Sequence, residues 1–409
     1  MGTVKIPIGP QHPALKEPES FLISLDGERI KDVGMRLGYN HRGIEKAAEG
    51  RTYIQNMPLL ERVCGICSHS HSTAFIQAVE EIAGVEIPKR AKYIRTIIGE
   101  LERVHSHLLW LGVAAHEVGF DTLLMYSWRD REVVMELLAM LGGNRVQYAM
   151  NTFGGVRRDI DKAKLEEISK AVDILEERTK YYIGIATKET TFIKRLSKVG
   201  YISKEDATRL GTVGPTGRAS GITRDVRKDD PYAAYGELDF NVITATSCDV
   251  YGRAVVRLLE LMETYKMLRQ LVKNIPDGDF VIRFPRRVPA GEATSRYEAP
   301  RGEDVHYVKA NGTDKPERVK LRAPTLANLM SVALMMEGDN LADVPITIAA
   351  IDPCFSCTDR MIKIDDVNTG KSNIVSWGDL RKQSIDFYRN EHGLDFAELN
   401  KKYRERGTL

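Results

Sequence analysis

Two short Cys-x-x-Cys segments, one near each end of the 409-residue chain, contain four of its five cysteines. The first segment is RVCGICSHSH, with Cys64 and Cys67, and the second is DPCFSCTDR, with Cys354 and Cys357. This spacing brings two sulfurs to one side of a turn or helix N-terminus, close enough to chelate one metal or to form a disulfide. Soft thiolates favour zinc, copper(I), iron and nickel over magnesium or calcium.

The distance between the two pairs argues against the common modules built on this motif. A zinc ribbon places its second knuckle about fifteen to twenty residues after the first, whereas these pairs lie nearly three hundred residues apart. A thioredoxin-type site needs one pair in a βαβ frame, and no such frame surrounds either segment. Two interpretations stay open from the residues alone: two independent structural or redox pairs, or four thiolates at one metal site.

Composition is that of an ordinary folded protein, with 43% hydrophobic and 28% charged residues. The net charge of +2 gives no reason to propose nucleic acid or an anionic membrane as ligand. No run approaches the roughly eighteen apolar residues of a membrane span, and the N-terminus lacks a signal-peptide pattern. We therefore expect a cytoplasmic chain that reaches a membrane only through partner subunits.

Hydrophobic periodicity divides the chain into four regions. Residues 1–40 predict a β-hairpin region, and residues 41–275 predict a helical core that carries the first cysteine pair. Residues 276–360 predict an α+β region with the second pair, and residues 361–409 form a C-terminal tail. Within these regions we predict one continuous helix over 58–84 and a buried strand at VPITIAAIDPC. The predicted fold class is mainly α with α+β ends, around a central bundle of long helices.

The residues that flank the cysteines carry a family resemblance. RVCGICSHSH fits R-x-C-G-x-C-x-x-x-H, and DPCFSCTDR fits D-P-C-x-x-C-x-x-H/R. These patterns resemble the paired signatures of nickel–iron hydrogenase large subunits, and the resemblance runs nearly end to end. It implies that family's fold and a nickel ion bound by Cys64, Cys67, Cys354 and Cys357. Cys67 and Cys357 would bridge to an iron that carries diatomic ligands.

Further segments resemble one branch of this family. GPQHPALKEPESF, GYNHRGIEKAAEG, ERVHSHLLWLG and VGPTGRASGI are similar to the membrane-bound, energy-converting hydrogenases of the formate hydrogenlyase type. That branch is related to the quinone-binding catalytic subunit of respiratory complex I, which lacks the cysteines and has a second histidine after G-P-Q-H-P. Here Lys16, Glu17 and Pro18 follow that segment instead, and all four cysteines are present. Quinone chemistry is therefore disfavoured.

The resemblance also implies catalytic roles for two residues that composition alone would place on the surface. Arg301 of EAPRGEDVH would lie over the open side of the metal pair, where a guanidinium stabilises charge during H2 cleavage. Glu17 would carry protons from a nickel thiolate.

Three further residues are expected near the metal. His71 would donate a hydrogen bond to a cysteine sulfur without binding the metal, and Asp352 opens the second motif beside the ligands. Glu45 would bind a second metal, magnesium or iron. Arg360 stands where many members of the family have a histidine that binds this second metal. The arginine therefore counts against a second metal here.

The resemblance implies removal of the tail by a protease that cuts between Arg360 and Met361. It also implies H2 production or oxidation with electrons from a partner small subunit with [4Fe–4S] clusters, because this chain has no further cluster-binding cysteine set. Membrane partners on the cytoplasmic face would move ions. Two alternatives stay open: a nickel-free homologue in a membrane-bound sulfane sulfur or polysulfide reductase, and a non-catalytic scaffold that couples an iron–sulfur subunit to an ion pump.

Overall fold

The structure, a computed structural model, describes residues 4–358, 361–365 and 369–395. Its strands are β1 (Val4–Ile8), β2 (Ser20–Asp26), β3 (Arg29–Arg36), β4 (Asn151–Thr152), β5 (Gly155–Val156), β6 (Gly291–Ala299), β7 (Gly302–Ala310), β8 (Pro316–Arg322), β9 (Met361–Asp365) and β10 (Ser372–Ser376). Its α-helices are α1 (Ile44–Glu49), α2 (Tyr53–Glu61), α3 (Ser68–Ala83), α4 (Lys89–Glu117), α5 (Asp121–Gly142), α6 (Lys162–Lys188), α7 (Thr190–Leu196), α8 (Lys204–Arg209), α9 (Gly214–Arg218), α10 (Val226–Asp229), α11 (Val250–Asn274), α12 (Pro324–Met336), α13 (Val344–Ala350) and α14 (Trp377–His392). Helices in the middle and small antiparallel sheets towards both ends confirm the predicted fold class.

Helix α4 forms the centre of the molecule. It is buried over almost its whole length and packs against α5, α11 and α13. A helix that is buried on every side belongs to the core, yet α4 also buries charged residues, among them Glu100, Glu102 and Arg103. Those charges need partners from neighbouring elements, so α4 organises polar contacts as well as apolar packing.

The N-terminal region is a three-stranded antiparallel sheet in the order β1-β2-β3. Gly27, at φ 63°, forms the turn between β2 and β3, inside the predicted β-hairpin region. Phe21 of β2 is fully buried and contacts the ring of Phe355, with centroids 6.3 Å apart. The sheet therefore packs directly against the segment that carries the second cysteine pair.

The second sheet, in the order β6-β7-β8, packs against α3. Burial alternates along β7, so every second side chain points into the protein. Strands β6 and β7 form a hairpin that pairs Ala299 with Gly302, and Arg301 lies in its tight turn.

Two local predictions are wrong. VPITIAAIDPC begins as helix α13 and not as a strand, because a short, fully buried apolar run has no periodicity that separates the two. Pro345 occupies the first turn of that helix, where its missing N–H costs nothing. The predicted helix over 58–84 is divided into α2 and α3, and the first cysteine pair lies in the break.

In the residues for which the structure is described, no helix combines the length and apolar character needed to cross a membrane.

A network of buried ion pairs joins α4, α9, α10, α11 and β6. Arg218 Nε lies 2.7 Å from Glu260 Oε1, and Arg218 Nη1 lies 2.8 Å from Glu298 Oε1. Arg227 Nη1 lies 3.2 Å from Glu100 Oε1 on α4. Burial alone would raise the pKa of Glu260, but Arg218, His107 and Arg103 together outweigh it and lower that pKa to about 2. The network ties the helices around α4 into one arrangement.

We predict that Glu260→Gln lowers the free energy of unfolding by about 3–5 kcal/mol, because it leaves Arg218 buried with one partner fewer. Asp239→Asn is the matched control: it breaks the exposed pair with Lys266 on the same helix and should cost at most about 1 kcal/mol. Denaturant unfolding at pH 7 measures both. Because the folded-state pKa is depressed, the Glu260 contribution is present above its unfolded pKa and is lost as the pH falls towards 2. Equal effects of the two substitutions would contradict this account.

Candidate metal centre

The first cysteine pair lies in the loop between α2 and α3. The backbone N–H groups of Ile66 and Cys67 each donate to Cys64 Sγ at 3.3 Å, so the loop wraps around that sulfur. Cys67 is the N-cap residue of α3. The Ile66 carbonyl lies 3.0 Å from His105 Nε2 of α4, which fixes the loop to the central helix.

The second pair follows α13 in a 3₁₀ turn, Phe355–Cys357. Asp352 directs the chain into this turn from a left-handed conformation with φ 54°, which costs a non-glycine residue about 1–3 kcal/mol. Thr325 Oγ1 accepts from the Cys354 N–H at 3.1 Å, and the Thr358 hydroxyl donates to the Cys354 carbonyl at 2.7 Å. These bonds fix the backbone on both sides of the first sulfur.

The two loops bring the four sulfurs together in the interior. Cys64 Sγ lies 3.1 Å from Cys67 Sγ and 3.4 Å from Cys354 Sγ, across a sequence separation of 290 residues. The ligand atoms of Cys64, Cys354 and Cys357 all lie within 4.8 Å of one another. None of the four cysteines is in a disulfide, and each is at most 4% exposed. A disulfide would need about 2.05 Å, whereas sulfurs that share a metal at about 2.3 Å lie roughly 3.2–3.8 Å apart.

The four thiols differ in how readily they ionise. Hydrogen bonds from Cys354, Cys357 and Cys67 hold the pKa of Cys64 well below its usual range. Donation to Cys354 and Cys64 raises the pKa of Cys357 well above its usual range. Protein groups alone thus stabilise one thiolate, and ionising all four would need a multivalent cation.

Arg301 reaches the sulfurs from the β6–β7 turn. Its Nη1 lies 3.9 Å from Cys67 Sγ and 3.3 Å from Ser106 Oγ. Its Nε donates to the Asp352 carbonyl at 2.7 Å, and its Nη2 donates to Asp352 Oδ1 at 2.8 Å. Burial opposes the charge, but Asp352 and then the Cys67 thiol outweigh it, and the pKa of Arg301 is raised well above its usual range.

Two glycines let α9 approach the Arg301 turn. A Cβ on Gly214 would lie 2.4 Å from the Arg301 carbonyl oxygen, and a Cβ on Gly302 would lie 2.7 Å from the Gly214 nitrogen. Both residues have positive φ, at 66° and 128°. Gly214 of the VGPTGRASGI segment therefore has a packing role against the Arg301 turn.

Glu17 lies beside the second cysteine loop. Its Oε2 accepts from the Ser356 N–H at 3.0 Å, and its Oε1 accepts from the Ser356 hydroxyl. The side chain is half-buried in the loop between β1 and β2. The hydrogen bond with Cys357 lowers the pKa of Cys354, but the hydrogen bond with Cys64, burial, the charge of Cys64 and then the charge of Glu17 together raise it well above its usual range.

Arg42 joins the two cysteine loops and was missed in the sequence analysis. Its Nη2 donates to the Val63 carbonyl at 2.6 Å and to the Ser356 carbonyl at 2.8 Å. One guanidinium therefore contacts the residue before Cys64 and a residue between Cys354 and Cys357. Its place in the HRGIE segment, three residues before Glu45, was the available signal.

Glu102 of α4 was also missed. Its carboxylate accepts from the backbone N–H groups of His69 at 2.6 Å and Ser70 at 3.0 Å, which caps the N-terminus of α3 directly after Cys67. Burial raises the pKa of Glu102 to about 8. This carboxyl group can therefore carry a proton at neutral pH.

His71 and Glu45 lie against the second sheet. His71 Nδ1 lies 3.0 Å from His306 Nε2 and 2.9 Å from Asp304 Oδ2. Glu45 Oε1 accepts from the Leu321 N–H at 2.9 Å. The structure thus brings Arg301, Asp352 and Glu17 to the cysteine loops, while the contacts found for His71 are to β7.

The expected processing site, between Arg360 and Met361, lies at a boundary of the residues that the structure describes. Met361 begins β9, which pairs with β10, and Arg360 lies outside the described residues.

Two family models match the chain. The one described as "Respiratory-chain NADH dehydrogenase, 49 Kd subunit" matches residues 117–287 and 281–360, and the one described as "Nickel-dependent hydrogenase" matches residues 42–112. The membrane-bound hydrogenase subunit alpha of Pyrococcus furiosus is 44% identical over 94% of this chain and 93% of that protein. The carbon monoxide-induced hydrogenase of Rhodospirillum rubrum is 40% identical over 88% of this chain and 100% of that protein.

A solved structure of a differently named complex has the same fold. The chain is similar to one chain of the membrane-bound sulfane sulfur reductase (MBS), an archaeal respiratory membrane complex, with a TM-score of 0.84 and 34% identity. The match covers 88% of this chain and 98% of that one. These comparisons confirm the predicted resemblance: the chain belongs to the family of nickel-dependent hydrogenase large subunits and respiratory 49-kDa subunits, as an oxidoreductase subunit of the membrane-bound hydrogenase type.

Proposed function

We propose that this chain is the catalytic large subunit of a membrane-associated redox complex that reduces protons to H2 or oxidises H2. The observation that carries the proposal is the meeting of Cys64, Cys67, Cys354 and Cys357 beneath a buried arginine. These four residues would hold a nickel–iron centre. The centre, when bound, supplies the two-electron chemistry of H2.

The donor set fits that group. Four buried, unlinked thiols with sulfur separations of 3.1 and 3.4 Å offer the soft ligands that nickel and iron prefer. Backbone N–H groups donate to Cys64, and the N-terminus of α3 begins at Cys67, so fixed dipoles favour thiolates in this position. A pair of divalent cations would neutralise the negative charge of the four thiolates once the thiols have lost their protons.

Arg301 would act on charge that develops at the reacting atoms. Its two bonds to Asp352 fix the guanidinium plane, and one N–H faces Cys67 Sγ. A preorganised cation in a buried site costs no reorganisation during reaction and is worth far more than in water. Arg301 would thereby stabilise negative charge during heterolytic H2 cleavage.

Glu17 would move protons between a cysteine sulfur and the surface. Its carboxylate contacts both polar groups of Ser356, which lies between Cys354 and Cys357. The half-buried position gives the carboxylate an inner and an outer side. A general acid–base group in such a place typically accelerates turnover by about 10²–10⁴-fold.

Two observations support an assembly with an iron–sulfur subunit and membrane subunits: the cysteine count of the chain and the names of its relatives. Four of the five cysteines would be used at the metal centre, so electrons would arrive through a partner with [4Fe–4S] clusters. The relatives are named as membrane-bound complexes. We propose a peripheral position on the cytoplasmic face, on membrane subunits that translocate ions.

A second candidate is sulfane sulfur reduction without nickel. It is favoured by one observation, the similarity to the sulfane sulfur reductase chain at a TM-score of 0.84. Under this alternative the fold would be kept while the chemistry differs.

We predict about one nickel per chain in the purified complex and an intact mass that ends at Arg360. Cys64→Ser, Cys67→Ser, Cys354→Ser and Cys357→Ser should each lose nickel and H2 activity, because a hydroxyl is a poor ligand for this ion. Cys248→Ser, which changes the remaining cysteine, is the control and should keep both. Elemental analysis and mass spectrometry decide the result. Polysulfide turnover that survives nickel starvation would support the sulfur-reductase alternative, and full activity of all four variants would support a scaffold.

Arg301→Lys should lower H2 turnover by about 100-fold or more while nickel content stays unchanged, because an ammonium cannot reproduce the two-pronged contact with Asp352. Arg296→Lys, on the same hairpin and more exposed, should stay within about twofold. Turnover of Arg301→Lys close to wild type would rule out a role in charge stabilisation.

Glu17→Gln should lower steady-state turnover by about 100-fold with nickel retained, because an amide cannot exchange the proton. Glu28→Gln, an exposed residue of the β2–β3 turn, serves as control. An unchanged rate in Glu17→Gln, assayed beside its nickel content, would remove Glu17 from the proton path.

A further inference from the structure

A second group of buried metal-ligand side chains lies apart from the cysteines, between α3 and β7. It comprises His71, Asp304 and His306, each at most 1% exposed. Asp304 and His306 are two positions apart on β7, so they share its inward face. His71 reaches that face from α3, which packs on the sheet.

Three ligand atoms of this group form a compact triangle. His71 Nδ1 lies 2.9 Å from Asp304 Oδ2, His306 Nε2 lies 3.2 Å from the same oxygen, and the two nitrogens lie 3.0 Å apart. A metal with bonds of about 2.0–2.1 Å to nitrogen and oxygen places neighbouring ligand atoms about 2.9–3.4 Å apart. The triangle therefore has the dimensions of one face of a coordination polyhedron.

Hydrogen bonds account for this triangle only in part. Both imidazole nitrogens lie within 3.2 Å of Asp304 Oδ2, yet neither contact has hydrogen-bond geometry, and the two nitrogens can share at most one hydrogen across their 3.0 Å contact. Asp304 Oδ1 is also buried and has no hydrogen-bond partner in the described part of the chain. A buried carboxylate oxygen without a donor is costly, and a cation on this side of Asp304 would satisfy it.

The chemistry of the three side chains also suits a cation. Two imidazoles and one carboxylate are ligands that ferrous iron and zinc accept in proteins.

We propose that His71, Asp304 and His306 bind one divalent first-row transition ion, zinc or ferrous iron, that joins α3 to the second sheet. This site uses none of the four cysteines and does not include Glu45. It would have a structural role: Cys67 caps the helix that carries His71, so the ion would fix the distance between that helix and the hairpin that carries Arg301.

The test is metal analysis of the whole purified complex, prepared without chelators. Zinc is measured by elemental analysis, and high-spin ferrous iron is measured by Mössbauer spectroscopy after ⁵⁷Fe enrichment, which separates it from cluster iron. We expect about one such ion per chain in the wild type. Asp304→Asn and His306→Gln should each reduce it to below about 0.1 per chain.

Two control variants test whether loss of the ion is specific to this site. His116→Gln changes an exposed histidine that also pairs with an aspartate, Asp121 at 2.8 Å, and should keep the ion. Cys357→Ser should lose nickel and keep the ion, which separates this inference from the proposed hydrogenase function. If no sample contains nickel, the zinc and ferrous-iron contents of the wild type and the variants still decide whether these three residues bind an ion.

Absence of both signals from the wild-type complex would overturn the proposal, and a hydrogen-bonded His–Asp–His cluster would replace it. Retention of the ion in both Asp304→Asn and His306→Gln would overturn it as well, because the ion would then lie elsewhere. The wild-type measurement decides the first point even if a variant fails to assemble.

Discussion

The structure depends on one constraint, that two loops 290 residues apart in sequence must place Cys64 and Cys354 with their sulfurs 3.4 Å apart. Each loop is short and irregular, so neither can fix its own position. The loops are held by Arg42, which donates to carbonyls of both, and by contacts to α4 and α12. A shift of about 1 Å in either element would separate the ligand atoms, and the centre would lose its geometry.

Buried charge is the second feature of this fold. Arg301 contacts Asp352 and Cys67 in the interior of the protein, and all three residues are buried. Behind it, Arg218 and Glu260 belong to a network that spans α4, α9, α10, α11 and β6. Such pairs contribute little net stability compared with apolar packing, but removing one partner is costly. They therefore specify one arrangement of the helices, and they keep the electrostatic environment of the sulfurs fixed.

The same fold occurs in proteins named as hydrogenases, as respiratory NADH dehydrogenase subunits and as a sulfane sulfur reductase subunit. The fold therefore does not choose the chemistry. We propose that the choice is made by a few side chains at the meeting point of the two loops, where this chain has four thiols, Arg301 and Glu17. The contacts of Glu17 with Ser356 place a carboxylate within the second cysteine loop, a position that the fold alone would not require.

The sequence by itself determined the family and the fold class, and it singled out the cysteines and Arg301 as candidate site residues, because these depend on residue types at fixed local spacings. Only the tertiary structure decided which groups meet across the chain. Glu102, Asp304 and His306 have no local pattern that marks them, since Glu102 meets α3, and Asp304 and His306 meet His71 of α3, only in the folded chain. The prediction of secondary structure from sequence was wrong where burial hides periodicity, as in α13. It was also wrong where the first cysteine pair interrupts a helical pattern between α2 and α3. Long-range packing, which no short window of sequence contains, determined the rest.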